Sequence, residues 1–221
     1  MDNNLISNKT YKTYKTYKTV KKECCAEFTE KKSVFICTVK PVWDEKSAVD
    51  FIGQVREKYN TASHNVHAYI ILDSNVTRFS DDGEPSSTAG IPTLSVLQKS
   101  GLTNIAAVVT RYFGGILLGA GGLVRAYSHA ARLSVDAAGI AVYENHIEFD
   151  VLCGYSDYDK LLKYIKTEKI TSDNTVFDEF ILLSLAVKHD RFEKICADII
   201  NLTNGKAEIS KKGERFSYEF D

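Results

Sequence analysis

Hydrophobic and polar positions repeat along this chain with two periods, and each predicts a different kind of element. Residues 33–40 (SVFICTVK) are rich in β-branched and aromatic side chains and stop at Pro41, which predicts a strand. Asp44 is placed to cap a helix to about Tyr59, because Ala48, Phe51, Ile52, Val55 and Tyr59 recur at helical spacing. Residues 66–72 (VHAYIIL) and 104–112 (NIAAVVTRY) are almost continuously apolar, the pattern of strands covered on both faces. Between them lie a polar loop, 80–90 (SDDGEPSSTAG), and a helix from about Ile91 to Lys99. A glycine-rich turn, 113–122 (FGGILLGAGG), then leads into a helix over 123–138. That helix carries Val124, Tyr127, Ala131 and Val135 along one stripe and has Gly139 at its end.

The pattern changes after Gly139. Residues 146–153 alternate as a strand, and 157–166 form a short helix with Leu161, Leu162 and Ile165 inward. Strands follow near 170–177 and 179–188. Phe192, Ile195, Cys196 and Ile199 mark a helix over 191–202, and 206–220 close the chain as a strand or strand pair. This order is βαββαβ, the split-βαβ or ferredoxin-like arrangement. The chain therefore reads as α+β with three parts: a flexible tail over 1–16, a first domain over 17–139 and a ferredoxin-like domain over 140–221. The tail contains a threefold Tyr-Lys-Thr repeat, Tyr11 to Thr19, whose last copy leads into the first strand.

Composition narrows the setting more than the activity. A hydrophobic fraction of 44% and a charged fraction of 26% are ordinary for a globular protein. The net charge of -1 gives no global pull toward nucleic acid or anionic membrane. Residues 1–146 hold 17 basic and 14 acidic residues, so a local anion site is compatible with the first part. The 5 cysteines lack framework spacing or a CxxC pair, which argues against secreted disulfides and structural zinc. No signal-peptide or membrane-spanning run is evident. A reducing cytoplasm is the consistent assignment, with no membrane partner.

Two segments carry the candidate chemistry. Gly114, Gly115, Gly119, Gly121 and Gly122 let backbone N–H groups approach a ligand, and the following helix directs its positive dipole end to the same place. Arg111 and Arg125 flank this turn with bidentate donors. This is either an anion site or a tight strand–helix connection whose arginines are paired internally. In the polar loop, Asp81, Asp82 and Glu84 lie within four positions. They could hold a divalent cation, receive a basic partner, or pair with Arg111 or Arg125 and so fix the two loops together. His64 and Asn65 precede a strand, with His67 at its head. Ser86, Thr88 and Ser128 offer hydroxyls, but no nucleophile–base pair is recognisable in the sequence. No cofactor or metal is expected.

The motifs themselves are distinctive. Phe79-Ser80-Asp81-Asp82-Gly83-Glu84-Pro85, then Thr88-Ala89-Gly90-Ile91-Pro92, is one. Val109 to Gly115 followed by Leu118 to Ser128, with Tyr127 inside it, is the other. Together with His64-Asn65 they resemble the signature of the IMPACT/YigZ family over about residues 17–135, and the βαββαβ part is similar to the small C-terminal domain of bacterial members. The resemblance implies a first domain like the second domain of a small-subunit ribosomal protein, and a second like the ferredoxin-like domain of elongation factor G. Eukaryotic relatives regulate translation by binding an activator of a translation-factor kinase. The implied function is a non-enzymatic regulatory contact with RNA, the ribosome or a translation-control protein. A Mg²⁺-dependent enzyme acting on a phosphorylated small molecule or nucleotide is the alternative, and homodimerisation through an open sheet edge is a further expectation. The family usually has glycine where this chain has Ser87, a position where glycine supplies a positive φ.

Overall fold

A computed structural model describes residues 16–217. Tyr17–Val142 form one compact unit, and the residues from Tyr143 onward form a second. The expected tail lies outside the described residues except for its last part. The third Tyr-Lys-Thr copy is itself strand β1 (Thr16–Val20), with Tyr17 and Thr19 buried.

The first unit is built on an antiparallel sheet in the order β2-β3-β6-β4-β5. Its strands are β2 (Cys24–Glu30), β3 (Ser33–Pro41), β4 (His64–Ile71), β5 (Val76–Ser80) and β6 (Ile105–Tyr112). The central strand β6 shows why its sequence is apolar without alternation. Ile105, Ala107 and Val109 join a core with Phe35, Cys37 and Val39 under helices α2 (Gly90–Lys99) and α3 (Gly119–Ala138). Ala106 and Val108 face the other side, against Phe51, Ile52 and Val55 of helix α1 (Glu45–Lys58). Both faces are dry over Ile105 to Val109, so these positions are apolar.

Local chemistry starts and stops these helices. Asp44 accepts a hydrogen bond from Ser47 N at 2.6 Å, and Ser47 Oγ accepts one from Asp44 N at 3.3 Å, a reciprocal box at the head of α1. Helix α3 ends where Gly139 takes φ 69°. Its alanines at 126, 130, 131 and 138 let it lie close on the sheet. Ser134 secures it there, donating to Cys37 O at 2.6 Å and accepting from Ala26 N at 3.2 Å. Burial pushes the Cys37 thiol up to about 12, so this cysteine is a packing residue rather than a nucleophile.

The second unit is β7 (Ile140–Cys153), α4 (Tyr155–Thr167), β8 (Thr171–Phe177), β9 (Ile181–Lys188), α5 (Phe192–Leu202) and β10 (Glu208–Ser217). Its antiparallel strands lie in the order β10-β7-β9-β8, the ferredoxin-like order for a βαββαβ chain. Phe149, Val151, Leu183 and Leu185 meet Leu161, Ile165, Ile195 and Ile199 of the helices in a core of their own. The other sheet face is polar. There Arg215 bridges Glu148 and Asp173, and Lys212 pairs with Asp150 at 2.9 Å. No described helix is long and apolar enough to cross a membrane.

Candidate site at the loop end of the first domain

Strand β4 runs antiparallel to both β5 and β6, so the exits of β5 and β6 lie beside the entry of β4. The polar loop after β5, the glycine-rich segment after β6 and His64 at the head of β4 therefore converge. In register, His64 lies opposite Arg111. Ser63 braces the junction, its N–H donating to Arg111 O at 2.9 Å and its Oγ accepting from Phe113 N at 3.1 Å.

Glu84 is the centre of the arrangement. Its Oε1 accepts from Arg111 Nη1 at 2.6 Å and from Tyr127 Oη at 2.7 Å, and His64 Nε2 lies 3.8 Å away. Glu84, Arg111 and Tyr127 are all buried. A carboxylate and a guanidinium leave water together only when each satisfies the other. Arg111 also donates to Ser33 Oγ at 3.4 Å and lies 5.4 Å from the ring centroids of Phe35 and Phe113. Its Nε remains buried without a partner. Burial, and then the hydrogen bond to Glu84, raise the Tyr127 hydroxyl well above the ordinary phenol range.

The other two loop carboxylates are committed elsewhere. Asp81 gathers the N–H groups of Ser87, Ala89 and Gly90 at 2.9, 3.0 and 2.7 Å and so caps α2, whose Ala89 has no capping side chain. Burial alone would raise its pKa, but these three bonds together hold it below the usual carboxylate value. Asp82 pairs with Arg56 and accepts from Asn65 N at 2.6 Å. The Asp82 carbonyl accepts from His64 Nδ1 at 2.8 Å, which fixes the ring and turns Nε2 toward Glu84. The Asn65 side chain faces inward, where its Oδ1 accepts from Thr110 Oγ1 at 2.7 Å. Thr88 donates to Pro85 O at 2.6 Å within its own turn, while Ser86 is exposed. Among the described residues, no group of three or more His, Cys, Asp or Glu side chains converges as a metal site.

The glycine-rich segment divides into two functions. Gly114 crosses the Lys32–Ser33 peptide at the start of β3 so closely that a Cβ would lie 2.0 Å from the Lys32 carbonyl carbon, which no side chain survives. The expected turn over 113–122 is shorter than its glycine content suggests, because Gly119 to Gly122 already form the first turn of α3. Gly119 enters that helix at φ 70°. Leu118 precedes it without a side-chain cap, so the first N–H groups of α3 are left for another acceptor. Arg125 is exposed and has no ion-pair or hydrogen-bond partner among the described residues. Its Nη1 lies 3.6 Å from where a Cβ on Gly121 would stand.

Together these pieces enclose a cavity of about 450 Å³. Glu84, Arg111, His64 and Ser63 line it on the polar side, and Phe113, Leu117, Leu118 and Leu123 on the apolar side. The apolar wall, Ser63 and Arg56 were not anticipated from sequence. Two adjacent leucines in a glycine-rich loop were the available signal, and Leu117 is 82% exposed. Thus Arg111, Glu84, His64 and Gly119 line the cavity, and Tyr127 lies buried behind Glu84. Asp81, Asp82, Asn65 and Thr88 build the loop beside it, and Gly115, Gly121, Gly122, Ser86 and Arg125 lie around them.

Fold and site define a two-domain α+β protein with a cavity at the loop end of its first domain. Residues 31–135 match the model of the Impact N-terminal domain, and residues 151–206 match a domain of unknown function, DUF1949. The chain is similar to IMPACT family member YvyE of Bacillus subtilis, with 34% identity over 85% of this chain and 87% of that protein. It is also similar to IMPACT family member YigZ of Escherichia coli, with 33% identity over 81% and 89%. Human Protein IMPACT is 33% identical over 41% of this chain and 30% of its own length. A crystal structure described as that of a hypothetical protein superposes with a TM-score of 0.58 at 29% identity, covering 89% of this chain and 97% of the other. The chain belongs to the IMPACT family.

Proposed function

We propose that this protein is a non-enzymatic regulatory binding protein of the cytoplasm. Its partner is RNA, the ribosome or a translation-control protein, engaged through the loop end of the first domain. The observation that carries this reading is the cavity. It measures about 450 Å³, it ends on an uncapped helix terminus, and Glu84 and Arg111 in its lining are bound to one another. A general base needs free lone pairs and a nucleophile needs an activating neighbour. Here Glu84 Oε1 already accepts from both Arg111 and Tyr127, and His64 Nε2, whose ring is fixed by Nδ1 on Asp82 O, has no nucleophile hydrogen-bonded to it. A Mg²⁺-dependent reaction would need carboxylates free for the metal, whereas Asp81 and Asp82 hold loop N–H groups and Arg56.

The test is capture from native lysate at low and moderate salt, reading RNA and protein together. The informative variants are Arg125→Ala and Leu117→Asp, both at exposed positions. Arg111→Ala is unsuitable, because it strands a buried Glu84 charge and confounds binding with folding. Ribosomal, RNA or translation-factor partners held by the wild type, weakened by salt and lost in both variants are the expected result. Equal capture by wild type and variants contradicts the proposal.

A further inference from the structure

We propose that the cavity receives an unpaired guanine base, held by its Watson–Crick edge against Glu84 and His64 and stacked on Phe113. This rests on the reading above that the cavity is a binding site, and it names the chemistry bound there.

The hydrogen-bonding groups left over in the lining select the edge. Both hydrogen bonds to Glu84 fall on Oε1, from Arg111 and Tyr127. Glu84 lines the cavity and is only 8% exposed, yet its Oε2 accepts no hydrogen bond and is not sealed from water. A carboxylate oxygen in a buried residue is costly without a donor, and a ligand N–H is its match. His64, also in the lining, offers a second acceptor. Its Nδ1 donates to the Asp82 carbonyl at 2.8 Å, so in the neutral ring Nε2 keeps its lone pair, 3.8 Å from Glu84 Oε1. Ser63 supplies the opposite polarity. Its Oγ accepts from Phe113 N at 3.1 Å, and its hydroxyl proton is left to donate. Two neighbouring acceptors, with a donor on the adjacent residue, fit a ligand that presents two adjacent N–H groups and a carbonyl. Among the four RNA bases guanine alone has that edge, in N1–H, the N2 amino group and O6. Adenine and cytosine present one amino group beside a ring acceptor, and uracil one N–H between two carbonyls.

Charge and shape favour a neutral flat ring there. A protein's arginine also carries two adjacent N–H groups, but the Glu84 charge is already met by Arg111 at 2.6 Å. A second guanidinium would face that one and the positive end of α3. Guanine brings the same donors without the charge. Phe113 is 47% exposed on the cavity wall, with the Arg111 guanidinium packed 5.4 Å from its centroid. Beside Leu117 and Leu118, this ring is a stacking platform for a base. A cavity of about 450 Å³ takes one base with its ribose rather than a duplex. A free guanine nucleoside and an unpaired guanine of single-stranded RNA share this chemistry.

The experiment measures affinity by fluorescence anisotropy for a short oligouridylate with one central guanine, and for the same strand with inosine, adenine or uracil there. Guanosine and N-acetyl-arginine amide serve as competitors. Inosine keeps N1–H and O6 and lacks only the N2 amino group. The expected result is about a tenfold preference for guanine over inosine, the scale of one hydrogen bond to a charged group, and weaker binding still for adenine and uracil. His64→Asn keeps a side-chain N–H for the Asp82 carbonyl and removes Nε2, so it is expected to shrink the preference for guanine without lowering the melting temperature. Competition by guanosine at the oligonucleotide's own affinity identifies the free nucleoside as the ligand. Competition only at much higher concentration identifies a guanine within RNA. Equal binding of the guanine and inosine strands overturns the inference, as does no binding of either. Stronger competition by the arginine amide than by guanosine also overturns it and assigns the cavity to a protein's side chain. Capture of a lysate partner that is lost in Leu117→Asp, alongside equal binding of all four strands, leaves the binding-protein reading standing and removes only the guanine.

Discussion

Ser87 adopts φ 65°, the left-handed region where a side chain clashes with its own backbone. The structure keeps it there because its N–H is needed by Asp81, at 2.9 Å. Replacing Ser87 by glycine removes the clash but adds freedom to the unfolded chain, so the net gain is about 0.5–1 kcal/mol. A rise in melting temperature is expected, and an unchanged or lower one would show that the strain is not stored at this residue. Arg111 acts in the opposite direction. Arg111→Ala is expected to cost about 3–5 kcal/mol in denaturant unfolding, because Glu84 keeps its charge in a buried place. The double variant Arg111→Ala/Glu84→Gln recovers part of the loss. A loss below about 1 kcal/mol for Arg111→Ala alone would mean that the pair is not shielded as its burial indicates. At this scale the sequence revealed which residue types met but not their pairing. The three loop carboxylates look equivalent in the chain, yet one caps a helix, one holds Arg56 and one neutralises Arg111.

Elements were legible where burial imposed a period and obscure where it did not. Strand β6 is buried from Ile105 to Arg111, and its apolar run over Ile105 to Val109 is plain. Strands β2 (CCAEFTE) and β5 (VTRFS) lie at the two edges of the first sheet and have no fully buried residue; β2 only alternates half-buried Cys24, Ala26 and Phe28 with exposed Cys25, Glu27 and Thr29, and the middle of β5 is exposed. The start of α3 was hidden by glycines, whose weak helix propensity is overridden by the packing of Leu123, Ala126 and Tyr127 behind them. Helix α2 depends on an acceptor eight residues before its cap position, a relation no local pattern discloses. Asp81→Asn is expected to lower stability at neutral pH by roughly 1–2 kcal/mol, the cost of a lost cap. The sign with pH follows from its depressed folded pKa. The stabilisation is complete above the unfolded carboxylate value of about 4 and fades as pH falls through the lower folded value. Wild type and variant should therefore converge in acid. A difference that persists or widens below pH 4 would assign the cap to another group.

At the scale of the whole molecule, the first unit packs a cluster on each face of its sheet and the second unit has a core of its own. The second domain's helix face was readable from Phe192, Ile195 and Ile199. Its polar sheet face was less so, because β8 reads as hydrophilic until Arg215 and Asp173 are seen paired across the sheet. The cavity was the least legible feature. It needs β4, β5 and β6 in register before His64, Glu84, Arg111 and the head of α3 become neighbours. In the proposed function that cavity holds the partner, which must then come within reach of Leu117. The most direct measurement places a photo-crosslinking residue at Leu117 in cells, with one at exposed Ile200 on α5 as control. Adducts to ribosomal RNA, a ribosomal protein or a translation factor from position 117, and not from 200, are the expected result. No adduct from 117, or the same adducts from both positions, would contradict a translation-linked contact through this face.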